Sequence, residues 1–73
     1  MLMAGKESIH DLIASAERRV AEANSVVERQ KFLIARLRAG GADTEDAERT
    51  LYALVQTLTN LERHLRSLSK PIQ

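Results

Sequence analysis

The stretch Arg36-Leu37-Arg38-Ala39-Gly40-Gly41-Ala42-Asp43-Thr44-Glu45-Asp46-Ala47-Glu48 sits at the middle of the chain and holds its one glycine pair. A basic run ends on one side of the pair and an acidic run begins on the other. Glycine takes up the positive φ that closes a helix C-terminus, so Gly40 and Gly41 read as a helix stop. Asp43 or Thr44 can accept hydrogen bonds from the free N–H groups of a new helix. Glu45, Asp46 and Glu48 then meet the positive end of its dipole. The stretch is read as helix, tight turn, helix.

The flanking segments agree. Neither residues 8–39 nor residues 42–70 contain a glycine or a proline, and the single proline is Pro71. In the first segment an apolar stripe runs Ile9, Ile13, Ala16, Val20, Ala23, Val27, Gln30, Ile34, Leu37, with Gln30 its one polar member. In the second it runs Ala47, Leu51, Leu54, Leu58, Leu61, Leu65, Leu68. Both alternate steps of four and three, the heptad repeat of helices that pack along a seam. Ser8 can cap the first helix, with Asp11 three residues on. Arg63, Arg66 and Lys70 suit the C-terminal end of the second helix, and Pro71 disfavours helix at Lys70.

A short turn makes the two helices antiparallel. About the glycine pair, Ile34 then faces Ala47, Gln30 faces Leu51, and Val27 faces Leu54. Further out, Ala23 faces Leu58, Val20 faces Leu61, Ala16 faces Leu65, and Ile13 faces Leu68. Small residues meet leucines, so the layers have similar volume. The expected fold is all-α: an antiparallel, coiled-coil-like two-helix hairpin, with helix 8–39, turn 40–43 and helix 44–69. Residues 1–7 and the tail 70–73 are expected to be flexible.

Composition sets the limits. The chain has 73 residues, 11 Lys and Arg against 10 Asp and Glu, no cysteine, no tryptophan and only two aromatic residues, Phe32 and Tyr52. A core of this size rarely supplies more than about 3–5 kcal/mol without a staple. Disulfides and Cys-based metal sites are excluded by the absence of cysteine. A net charge of +1 argues against a polycation built for nucleic acid or anionic lipid. No secretory signal is evident at the N-terminus and no apolar run is long enough to span a bilayer, so a cytoplasmic protein is expected. The remaining staple is a second copy of the chain. Leu12, Val26 and Leu33 widen the stripe on one flank of the first helix, and Tyr52 and Val55 widen it on the other flank of the second. A stripe this wide suits a bundle, so a homodimeric four-helix bundle is expected.

Little in the sequence carries chemistry. His10 and His64 are offset by roughly 10 Å along the axis in the antiparallel register at 1.5 Å per residue. No pair of ligands shares one helix face, so they read as surface histidines and no metal or cofactor is expected. No serine or threonine has a histidine and a carboxylate at helical spacing, and no phosphate-binding loop is present. No small-molecule substrate is evident, and the chain reads as a non-enzyme. Gln30 fits a residue that fixes register or oligomer state, or a hydrogen-bonding group for a ligand in a bundle core.

Two further features bear on partners. Arg29, Lys31, Arg36 and Arg38 gather at the end of the first helix, where Arg29, Phe32 and Arg36, three and four residues apart, share an outward face. A basic strip around an aromatic suits nucleic-acid recognition. Cations at a helix C-terminus beside the acidic start of the next helix are the competing account. Phe32 and Tyr52 lie off the seam near the turn, either as a second self-interface or as anchors for a different protein.

The runs Ala16-Glu17-Arg18-Arg19-Val20-Ala21-Glu22, Arg29-Gln30, Leu33-Ile34 and Gly41-Ala42-Asp43-Thr44-Glu45-Asp46-Ala47-Glu48 together resemble a group of small uncharacterised alphaproteobacterial helical-hairpin proteins. These carry AER-x-[IV]-AE, RQ-x-x-[IL][IV] and G-x-DT-x-x-AE segments. The likeness covers roughly residues 12–66, and Asn24-Ser25-Val26-Val27 departs from the pattern. It implies a bacterial cytoplasmic helical hairpin and brings no catalytic residues. The expectation is a protein–protein interaction module acting as a homo-oligomeric hairpin, with a small nucleic-acid-binding regulator as the alternative.

Overall fold

A computed structural model of the chain describes residues 8–69, which form two helices, α1 (Ile9–Ala39) and α2 (Glu45–Ser69). The expectations for residues 1–7 and 70–73, including the stop at Pro71, lie outside the described residues. Each helix begins one residue later than the sequence suggests, because the residue before it is a cap. Ser8 is extended, with φ −81° and ψ 164°, and its Oγ accepts a hydrogen bond from the Asp11 N–H at 3.2 Å. Before α2, the Asp43 side chain accepts from the Glu45 N–H at 3.1 Å, and the Thr44 carbonyl accepts from the Glu48 N–H at 2.8 Å. Asp43 and Thr44 thus share the start of α2.

The turn closes α1 with a paired hydrogen-bond motif. The Ala42 N–H donates to the Leu37 carbonyl at 2.9 Å, and the Gly41 N–H donates to the Arg38 carbonyl at 3.0 Å. This is the Schellman arrangement, which satisfies carbonyls that the helix end would leave free. Its left-handed position falls on Gly41, at φ +79°. Gly40 sits at φ −87° and ψ 2°, open to any residue. Only one glycine of the pair is therefore required by backbone conformation.

The helices pack antiparallel along the two stripes. Every predicted seam residue is buried or half-buried except Ile9, which is 49% exposed. In the antiparallel register α2 ends at Ser69, about one turn short of the level of Ile9. Among the described residues only Ala16, Val27 and Ile34 are buried, and all three belong to α1. The leucines of α2 are half-buried throughout, because each has one neighbouring helix and two open sides. The Cα trace is only 14 Å deep in its thinnest dimension, a single layer of helices.

Candidate interaction surfaces

A heptad stripe leaves two lateral edges. In an antiparallel pair, the residue after each core position of α1 and the equivalent residue of α2 lie along the same edge. One edge opens as a groove of about 550 Å³ floored by Ile34, Leu51 and Val55 and flanked by Tyr52. Lys31 and Arg38 of α1 line one side of it, and Glu48 of α2 stands on the other. Arg38 Nη2 donates to Glu48 Oε2 at 2.6 Å, and Thr44 Oγ1 donates to the same oxygen at 2.8 Å. The turn thereby ties the two helices together on this edge. The exposure of Arg38 and Glu48, 65% and 48%, keeps that pair's contribution within about 1 kcal/mol.

The opposite edge carries a smaller hollow in which Leu12 and Arg19 of α1 meet Leu61, His64 and Leu68 of α2 over Ala16. Leu12, Arg19, Val26 and Leu33 repeat every seven residues and so follow one line along α1. Leu12 and Leu33 are 41% and 42% exposed, and Val26 is half-buried. Leu12, Val26 and Leu33 thus lie on one edge and Tyr52 and Val55 on the other. The sequence singled out neither Glu48 nor Arg19 as part of a surface. Both are recoverable from the heptad, since each occupies an edge position.

Phe32 and Tyr52 do not share a surface. Each is 68% exposed, yet Tyr52 flanks the groove and Phe32 does not. Phe32 is two residues from the buried Ile34, about 200° around the helix, and so projects from the back of α1. The basic residues also divide. Lys31 and Arg38 line the groove, whereas Arg29 and Arg36 sit two residues away from them and face elsewhere. Lys31 pairs with Glu28 at 3.3 Å and Arg38 with Glu48, while Arg29 and Arg36 make no ion pair among the described residues. The four cations thus divide between two faces: Lys31 and Arg38 line the groove, and Arg29 and Arg36 lie with the exposed Phe32 on the back of α1.

Gln30 lies half-buried at its seam position, where its Nε2 donates to the Ala47 carbonyl at 2.9 Å. That bond joins the middle of α1 to the first turn of α2 and fixes the axial register beside the turn. Among the described residues no buried side-chain nitrogen or oxygen lacks a partner, and no group of three or more His, Cys, Asp or Glu residues is placed to hold a metal ion. No described helix is long and apolar enough to cross a membrane. Comparison of the chain with protein-family models, with curated proteins and with solved structures finds no match.

Proposed function

We propose that the chain is a non-enzymatic, cytoplasmic protein–protein interaction module that works as a homo-oligomeric helical hairpin, most simply a twofold four-helix bundle. The observation that carries this reading is the imbalance between core and surface. Among the described residues three are buried, while Ile9, Leu12, Phe32, Leu33, Tyr52 and Val55 are 38–68% exposed. Helical stability in proteins comes mainly from packing an amphipathic face, and here each face is packed by a single neighbour. Self-association supplies the second neighbour and leaves the outer surfaces, with Phe32, for another protein. The alternative, a small nucleic-acid-binding regulator, rests on the exposed Arg29, Phe32 and Arg36 along the back of α1.

Sedimentation equilibrium on the purified chain tests the reading. A dimer or a larger closed assembly is expected at micromolar concentration. A folded helical monomer there would sink the proposal.

A further inference from the structure

We infer that a second copy of this chain closes the groove beside Tyr52, with the twofold axis running along the helices so that α1 of each copy lies over α2 of the other. The inference rests on the self-association proposed above and assigns it a face and an orientation.

Apolar exposure comes first. Among the described residues only Ala16, Val27 and Ile34 are buried, while Tyr52 and Val55 are 68% and 38% exposed. The groove offers an apolar floor for burial in Ile34, Leu51 and Val55, with Tyr52 beside them.

Charge then selects the edge and the axis. The groove edge is basic on α1, through Lys31 and Arg38, and acidic on α2, through Glu48. Within one chain Arg38 pairs with Glu48 and Lys31 with Glu28, so a second copy adds to these pairs and does not supply their first partners. An axis along the helices keeps both turns at one end and lays the basic rim of one copy over the acidic rim of the other. An axis across the helices would set each rim against its own kind, which is unfavourable. The opposite hollow has Arg19 and His64 among its lining residues and no carboxylate. Pairing that edge with itself about the same axis lays Arg19 of one copy over the His64 side of the other, with no counter-charge among the lining residues. Of the two edges, the groove is the self-complementary one.

The test uses two aromatics of equal exposure as a matched pair. Sedimentation equilibrium is run on wild type, Tyr52→Lys and Phe32→Lys, with helicity followed by circular dichroism. Tyr52→Lys is expected to weaken the dimer about tenfold or more, since it places a charge where apolar surface should be desolvated. Phe32→Lys is expected to leave it unchanged. Because Tyr52→Lys chains could unfold on dissociating, a second measurement keeps both copies intact. The natural chain has no cysteine, so Lys31→Cys and Tyr52→Cys chains can be mixed and oxidised. Their mixed disulfide should form faster than that between Phe32→Cys and Tyr52→Cys chains. A monomeric wild type would overturn the self-association reading and this inference with it. A dimeric wild type that tolerates Tyr52→Lys, or that links position 52 to position 32 as readily as to position 31, would overturn only the assignment of the face.

Discussion

At Gly41 and Gly40 the same residue type does different work at neighbouring positions. Gly41 holds φ +79° with open space where a Cβ would stand, so a side chain there meets no atom and only the backbone resists it. Gly41→Ala should therefore cost about 1–2 kcal/mol, the penalty of a left-handed L-residue. Gly40 has ordinary dihedrals, and an added Cβ would sit 3.7 Å from the Arg36 and Leu37 carbonyl oxygens, a normal contact. Gly40→Ala should be neutral or stabilise by up to about 1 kcal/mol, because it narrows the unfolded ensemble. Urea denaturation of the two variants side by side checks the pair, and equal losses at both positions would contradict the assignment of the turn. Gln30 gives a second residue-scale expectation. Replacing it with leucine removes one hydrogen bond, worth about 0.5–1.5 kcal/mol net. The Ala47 carbonyl keeps its own partner within α2, and the leucine gains about 1.5–3 kcal/mol if fully buried. Gln30→Leu should raise stability by about 1 kcal/mol and loosen register and oligomer uniqueness. Denaturant melts read the first effect and multiple amide resonances per residue the second; a less stable variant would contradict the account.

At the scale of the elements, α1 carries the buried core and α2 covers it. Ala16, Val27 and Ile34 stand at heptad positions of α1, while the broad leucines of α2 straddle them and stay half-open. Truncating a buried isoleucine costs about 2–5 kcal/mol, comparable with the roughly 3–5 kcal/mol that so small a core provides. Ile34→Ala should thus lose most of its helical circular dichroism at room temperature, whereas Leu33→Ala, one residue away and 42% exposed, should keep it. Much of this element level was legible in the sequence. Alternating steps of three and four, the glycine pair and the capping side chains are local signals, and they placed both helices and the antiparallel turn. The unequal burial of the helices was not legible, because it depends on what covers each stripe from outside. Nor was the choice of Gly41 over Gly40, since a shift of one residue in where α1 ends exchanges their roles. The division of the basic residues could have been read from spacing alone: residues 29 and 31, like 36 and 38, differ by two and point apart on a helix.

For the whole molecule, thinness is the governing property. A single layer of two helices has two broad faces, and burying one of them turns a marginal hairpin into half of a bundle. In the proposed bundle folding is coupled to association, and apparent stability depends on how much chain is present. For a chain that folds only as a dimer, each tenfold increase in protein concentration adds about 1.4 kcal/mol to the stability of the assembly. Two copies make an assembly of about 150 residues, in which that increment raises Tm by roughly 3–6 °C. Thermal melts followed by circular dichroism over a hundredfold range of concentration should therefore move upward by about twice that amount. A hairpin that folds alone has no such dependence, because both sides of its equilibrium contain one molecule. Tyr52→Lys should melt at a lower temperature with a smaller dependence on concentration, and Phe32→Lys should retain the full slope. A wild-type Tm that stays fixed across the range would place all of the stability within one chain, and the open groove would then have to be explained without a second copy.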